Sequence, residues 1–390
     1  MQISVGLDAA KDFHWAVALD ENGSVLLDKK LINGVVEIDA FIAHLHTMPG
    51  EVVIGIDVVG SFAAYLEAVL VDAGFELVHV PGLAVNRARD GVPGGEIKSD
   101  PRDARIIADM VRTRSDLRPI KLEHEATVEI RLLIGRRRDL VEDQTRRFSR
   151  LHQLLGSIHP DLERAVDLKA KAVLKLLSGF VTPTEVLNAG PDALATHLKG
   201  ARNASALIKT AIETAQAQRL AVPGERMIAT LVRELAAEAL ATMDRLANIE
   251  RELQELVARH PDGALILSLP GMGAVLGAEF IAYAGDIGRF HSSDALAATA
   301  GLAPVLRQSG RSRTTRRAFR GDKDLKNTLY RSAFCAITHH PQSRAFYDRK
   351  RREGKRHVQA IIALARRRVD VLWAILRTRR PFNPEFARAA

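Results

Sequence analysis

A single cysteine, Cys335, stands among 390 residues, which excludes an internal disulfide and any zinc site built on cysteine. Leu325, Leu329 and Ala336 lie near it in a helical pattern, the setting of a buried core thiol. No apolar run is long enough to span a bilayer. The opening Met-Gln-Ile-Ser-Val-Gly-Leu-Asp reads as a strand rather than a signal peptide. These absences predict a reducing, cytoplasmic setting with no membrane partner. Basic residues are scarce at the start: the first ninety residues are acidic or neutral, whereas the last third carries dense basic clusters. Over the whole chain 56 Lys and Arg against 47 Asp and Glu give a net charge of +9 and a pI near 9.8. That balance favours a polyanionic partner, nucleic acid above all. The length implies two or three domains, and a hydrophobic fraction of 47% allows a sizeable core.

Taken in order, residues 2–8, 13–19 and 25–31 alternate apolar and polar side chains as three strands, with a turn at Asp20-Glu21-Asn22-Gly23. A short helix over 38–45, an apolar strand over 52–56, a helix over 61–73 and a strand over 76–80 follow. A Gly- and Pro-rich loop is predicted up to Ile97, and then a helix opens at Lys98-Ser99-Asp100-Pro101-Arg102-Asp103-Ala104-Arg105. Asp100 is a plausible N-cap, and Pro101 sits where a missing N–H has no cost. Asp100 and Asp103 share one helical face. Their repulsion needs a cation between them: a divalent metal, or Lys98, Arg102 and Arg105. Alternatively the stretch is an ordinary solvated helix start.

A meander followed by alternating helix and strand is the order of the ribonuclease-H-like fold. In that layout Asp8 ends the first central strand and Asp57 ends the fourth, as neighbours in the sheet, and the closing helix brings Asp100 and Asp103. Four carboxylates make the oxygen-only shell that Mg²⁺ prefers, and such a site serves phosphoryl transfer.

Residues 123–158 form a long helix with Val141, Gln144, Phe148, Leu151, Leu155 and Ile158 in a heptad seam. A second long helix over 225–259 carries its own seam from Ile228 to Leu256. Between them 165–224 is helical with breaks at glycine and proline. The two rods form an antiparallel hairpin or a dimerising coiled coil; the sequence does not separate these.

Leu269-Pro270-Gly271-Met272-Gly273 between two helical stretches resembles a helix-hairpin-helix turn, whose N–H groups can hold a phosphate. Ser309 then precedes Gly310 in a predicted loop ringed by Arg307, Arg311, Arg313, Arg316, Arg317 and Arg320. A serine needs activation to act as a nucleophile, and no histidine stands beside it in sequence. The arginines suit a scissile phosphate and its transition state; without a covalent role the loop would simply bind phosphates. A helix over 322–338 ends at His339-His340-Pro341. Arg344 to Arg356, with Phe346 and Tyr347 inside it, and Arg366-Arg367-Arg368 on the closing helix over 358–376 form the densest nucleic-acid footprint.

Two blocks together resemble the DEDD-type insertion-sequence transposases, serine recombinases guided by a bridge RNA. The first block is Val5-Gly6-Leu7-Asp8, Ile54-Gly55-Ile56-Asp57 with Gly60, and Lys98-Ser99-Asp100 to Asp103-Ala104. The second is Leu269 to Gly273, Arg289-Phe290, Gly301-Leu302-Ala303-Pro304 and Ser309-Gly310. The resemblance implies a RuvC-like domain over 1–118, a helical coiled-coil region over 119–260 and a carboxy-terminal transposase domain over 261–390. It implies a tetrad of Asp8, Asp57, Asp100 and Asp103 binding Mg²⁺, and Ser309 as a nucleophile forming a 5′-phosphoserine link to DNA. It further implies DNA at the element ends and target, a non-coding bridge RNA, and a homo-oligomer joined through the coiled coil. One departure is Asp57, where the family usually has Glu. The alternative enzyme is a RuvC-like, metal-dependent junction endonuclease with no covalent intermediate. A nucleic-acid-binding structural protein with inert acids is a third reading.

Overall fold

The structure, a computed structural model, describes residues 2–58, 60–91, 99–120, 124–309, 312–316, 318 and 321–384. The chain forms two compact units, Met1–Glu123 and His124–Ala390.

The first unit is a mixed α/β layer structure. Its strands are β1 (Gln2–Asp8), β2 (Phe13–Leu19), β3 (Val25–Ile32), β4 (Glu51–Ile56), β5 (Glu76–His79) and β6 (Arg118–Pro119). Its helices are α1 (Val35–His46), α2 (Ala64–Asp72), α3 (Gly82–Asp90) and α4 (Asp100–Thr113). The sheet order is β3-β2-β1-β4-β5-β6, with β1, β4 and β5 parallel and the other pairs antiparallel. This topology fits the ribonuclease-H-like reading. The central strands β1, β2 and β4 bury both faces, with alternate residues packing on opposite sides, whereas β3 is largely exposed. Ile3, Val5 and Leu7 of β1 and Ile54 and Ile56 of β4 pack under α1 and α2 with Phe41 and Leu66. Val17 and Leu19 of β2 and Val53 of β4 face α4 instead, with Ala104, Ala108 and Ile107.

Two expectations change here. The segment after β5 is not loop throughout: α3 runs from Gly82, with Pro81 before it and Gly91 closing it. Proline at the start and glycine past the end are helix punctuation as well as loop signals; Val92 to Lys98 lie outside the described residues. The N-cap of α4 is Ser99 rather than Asp100, since the Ser99 carbonyl accepts from the N–H groups of Arg102 and Asp103, each at 3.0 Å. Asp100 is therefore the first helical residue, with Pro101 next to it.

The second unit is helical apart from one hairpin. Two long helices, α5 (Glu125–Ile158) and α10 (Glu225–Arg259), enclose α6 (Pro160–Ala165), α7 (Lys171–Gly179), α8 (Pro183–His197) and α9 (Ala204–Ala217). They are followed by α11 (Gly263–Ser268), α12 (Ala274–Ala284), α13 (Ser293–Thr299), β7 (Val305–Ser309), β8 (Ser312–Arg316), α14 (Lys323–His339), α15 (Pro341–Arg352) and α16 (His357–Thr378). Thr127 meets His260 at 3.0 Å, Arg137 meets Glu250 at 2.7 Å and Arg147 meets Glu238 at 3.1 Å. Residue numbers rise on one helix as they fall on the other, so α5 and α10 are an antiparallel hairpin within one chain. Gln144, Leu151 and Leu155 of the expected seam are buried in it, whereas Val141 is 38% exposed.

The hairpin joins two cores. Its outer part packs with α6–α9 through Leu151, Leu155, Val232 and Ala236. Its inner part, through Ile130, Ile134, Leu253 and Val257, packs with α11–α16. Residues on both sides of position 260 share that second core and lie in one unit. Between the cores lies a polar layer: the Gln144 amide donates to the Ala239 carbonyl at 3.1 Å, and Arg147 donates to Gln144 Oε1 at 2.7 Å. Such a layer fixes helix register. Among the described residues no helix is long and apolar enough to cross a membrane.

Candidate active site

The carboxylate site begins with strand register. Leu7 pairs with Ile56 across the parallel β1–β4 ladder, so Asp8 and Asp57 stand side by side at the carboxyl ends of adjacent strands. Alternation places Asp8 on the face of Ser4 and Gly6, and Asp57 on the face of Val53 and Gly55. Both therefore share the α4 face.

Gly6 and Gly55 are themselves register partners. A Cβ on Gly6 would fall 2.0 Å from the Ala104 carbonyl oxygen and 2.4 Å from the Ala108 nitrogen. A Cβ on Gly55 would fall 2.4 Å from Val111 Cγ2. The glycine pair is thus a seat into which α4 settles, close enough for its first turn to carry Asp100 and Asp103 towards the strand ends. Asp103 is buried and Asp100 half-buried.

Asp57 and Asp103 differ in their partners. Asp57 Oδ1 is buried without a hydrogen-bond partner among the described residues. Burial raises the Asp57 pKa above the ordinary carboxylate value, and the nearby Asp103 charge adds to the rise. The N–H groups of Ala9, Asp57 and Val58 oppose it. Asp103 is paired: Arg89 Nη1 donates to Oδ1 at 2.8 Å and to Oδ2 at 2.7 Å, and Arg89 Nη2 donates to Asn86 Oδ1 at 2.7 Å. Arg89 lies on α3, within the stretch read as loop, so the sequence reading considered Lys98, Arg102 and Arg105 but not the cation that the fold supplies. Its signal was the helix punctuation around Gly82–Asp90. Lys98 lies outside the described residues.

Among the described residues no group of three or more His, Cys, Asp or Glu side chains is gathered closely enough to hold a metal ion. The donor chemistry nevertheless suits a hard cation: an orphaned, buried carboxylate oxygen on Asp57 beside further carboxylates is a site short of positive charge. Asp103 joins such a shell only by exchanging Arg89.

The segment read as a basic loop is a β-hairpin. Ser309 ends β7 and pairs with Ser312 of β8; Arg307 pairs with Thr314, Gln308 with Arg313 and Val305 with Arg316. Ser309 and Ser312 are the last register pair. The connecting Gly310 and Arg311, and also Arg317 and Arg320, lie outside the described residues. The arm has a fixed base. Gly321 has φ +117° and lies against Gly301, where an added Cβ would come 2.7 Å from the Gly301 nitrogen. Lys326 Nζ donates to the Gly301 carbonyl at 2.8 Å and the Asp322 N–H to the Thr299 carbonyl at 2.7 Å.

The Pro270-Gly271 turn joins α11 and α12 as expected. Gly271, at φ +81°, meets α14, where a Cβ would fall 2.6 Å from the Ser332 carbonyl oxygen.

Comparison with known proteins adds two family matches. A transposase family model of the DEDD IS110 type matches residues 5–160. A second, described as transposase IS116/IS110/IS902 family, matches residues 263–348. The first range contains Asp8, Asp57, Asp100 and Asp103, and the second contains Ser309. The 42 kDa protein of insertion element IS900 from Mycobacterium paratuberculosis is 42% identical over 99% of this chain and 98% of its own length. The 44.8 kDa protein of insertion element IS116 from Streptomyces clavuligerus is 41% identical over 98% of this chain and 96% of its own. A pilin gene-inverting protein of Moraxella lacunata is 29% identical over 36% of this chain and 46% of its own.

Proposed function

The chain belongs to the IS116/IS110/IS902 family of transposases, enzymes that act on DNA, and from that premise we propose that it cuts and rejoins DNA strands through a covalent serine intermediate. Ser309 is the nucleophile. Its oxygen attacks the scissile phosphorus, the bond from phosphorus to the 3′ oxygen breaks, and the 3′-hydroxyl leaves with a proton while the 5′-phosphate stays on the serine. Attack of a 3′-hydroxyl on that phosphoserine rejoins the strand and releases the serine. Arg307, Arg313 and Arg316 of the hairpin, with Arg311 and Arg317, bind the phosphate oxygens and stabilise the added negative charge.

The observation that carries the reading is the register of β1 and β4, which sets Asp8 and Asp57 side by side under α4. Asp8 and Asp57, with Asp100 and Asp103 from α4, would hold Mg²⁺. When bound, the ion supplies Lewis-acid stabilisation of phosphate oxygens. Asp57 contributes the oxygen that has no hydrogen-bond partner among the described residues, and its shorter side chain, in place of Glu, sits on a strand end next to that of Asp8. Sequence choice by a bridge RNA and assembly as a homo-oligomer belong to the same reading; with the α5 seam filled by α10, oligomer contacts fall to other surfaces.

The test is adduct trapping on a nicked DNA substrate. Wild type should yield a protein–DNA adduct that survives denaturation, and Ser309→Ala should yield none. Cleavage by Ser309→Ala without an adduct would favour the junction endonuclease instead, and an undiminished adduct would remove Ser309 from the chemistry.

A further inference from the structure

Helices α15 and α16 and the segment after α16 line an open cavity of about 440 Å³ whose lining residues include neither Ser309 nor any of the four carboxylates. Its wall is divided. Arg349, Arg352, Arg367 and Arg368 supply cations, while Phe346 and Phe382 lead an apolar side. None of the described residues lining it is acidic.

Arg368 is the built element. It is 5% exposed. Its Nη2 donates to Ser332 Oγ at 2.6 Å, but its Nε is buried with no hydrogen-bond partner among the described residues. Burial lowers its pKa to about 10, so it stays charged at neutral pH. Buried guanidinium groups are ordinarily paired with a carboxylate, and no ion pair holds Arg368 among the described residues. Around it, like charges are drawn together: Arg349, Lys350 and Arg367 lie 5.1, 5.6 and 5.4 Å from the centre of the Phe346 ring. The ring quadrupole attracts each cation, but the cluster is still short of negative charge. Among the described residues one carboxylate serves both Arg349 and Lys350: Glu353, 3.8 Å from the first and 2.7 Å from the second.

We propose that this cavity receives one unpaired nucleotide of a nucleic-acid strand, with its phosphate among Arg349, Arg352, Arg367 and Arg368 and its base or sugar on the Phe346–Phe382 wall. The volume lies in the range of small-ligand sites and is far too small for a duplex, which would touch only the rim. A strand interior offers both halves of the match, an anion and a flat apolar face. The proposal does not depend on Ser309 or the carboxylates.

The test uses the full chain and a twelve-nucleotide probe carrying one 5-iodouracil, made as single-stranded DNA, as single-stranded RNA and as DNA duplex. Ultraviolet crosslinks should map to the peptide bearing Phe346 or Phe382 with a single strand and fall at least fivefold with the duplex; whether the DNA or the RNA strand gives them identifies the source. By fluorescence anisotropy the double variant Arg352→Ala, Arg367→Ala should bind the single strand about tenfold more weakly. Its log–log salt slope should shrink by about 0.7, the share of one strand phosphate. The control Arg219→Ala, Arg226→Ala removes two exposed charges elsewhere and should cost less than twofold. Melting curves check that both variants fold. Equal losses in the two variants, crosslinks that map elsewhere, or a duplex that crosslinks as well as the single strand would each overturn the proposal.

Discussion

One nitrogen of Arg89 donates to both carboxylate oxygens of Asp103, at 2.8 and 2.7 Å, with the two side chains only 12% and 8% exposed. The pair neutralises, from α3, the very acid that α4 carries to the strand ends. Removing one partner of a buried pair leaves the other uncompensated, typically at a cost of about 3–5 kcal/mol. Arg89→Gln should therefore lower the melting temperature in EDTA. Added Mg²⁺ should recover more of that loss than the increment it gives wild type. An identical Mg²⁺ increment in the two proteins would mean that Asp103 takes no part in metal binding.

Asp57 gives the complementary result. Its buried Oδ1 has no hydrogen-bond partner among the described residues, and burial disfavours its charge. Asp57→Asn should melt in EDTA at or above the wild-type temperature, because an unfavourable charge is gone. Wild type should gain about 1.4 kcal/mol from Mg²⁺ at ten times its Kd, by mass action. The variant should gain nothing and should not cleave DNA. A retained Mg²⁺ increment in Asp57→Asn would place the ion elsewhere.

The glycine seat predicts unequal effects. At Gly6 the added methyl meets backbone of α4, at 2.0 and 2.4 Å, so the helix itself must move. Gly6→Ala should cost about 3 kcal/mol in urea unfolding and, by displacing Asp100 and Asp103, abolish strand cleavage. At Gly55 the methyl meets side-chain rather than backbone atoms, Val111 Cγ2 at 2.4 Å and Ile107 Cγ2 at 3.0 Å; these β-branched groups are stiff but can shift without moving the helix backbone, so Gly55→Ala should cost about 1–2 kcal/mol, less than Gly6→Ala. Equal stability of the two variants would contradict the close approach of α4 at Gly6.

His159, between α5 and α6, is fully buried, with Nδ1 3.4 Å from the Val181 carbonyl and Nε2 without a partner among the described residues. Burial lowers its pKa below 6.5. The unfolded chain then binds the proton more tightly than the folded one. The neutral ring's contribution is thus present above pH 6.5 and is lost as pH falls towards the folded pKa. Wild-type stability should decline over that window by at most about 1.4 kcal/mol per pH unit for this group. His159→Gln, which can still donate to Val181, should flatten the decline in a pH series of urea titrations.

The positions of the four carboxylates on their elements are largely legible along the chain. Asp8 and Asp57 close apolar runs, and a run's length with its alternation fixes both the strand end and the face of the last residue. The same local rule placed Asp100 and Asp103 on one helical turn. Arg89 was not legible, because Gly and Pro around 81–91 punctuate loops and helices alike. The β7–β8 hairpin is not legible in the sequence because arginine density masks Val305-Leu306 and Thr314-Thr315, which only cross-strand pairing brings into register.

What the sequence by itself determined was most of the elements, though not α3 or the β7–β8 hairpin, together with the basic carboxy-terminal third and the family motifs, since these depend on near neighbours and on composition. Only the tertiary structure decided that the α5 seam meets α10 of the same chain, that Arg89 holds Asp103, and that Arg368 lies buried with no acid paired to it among the described residues. Each of those depends on residues far apart in sequence competing for one partner, and which competitor wins is a matter of distance and burial that no local pattern encodes.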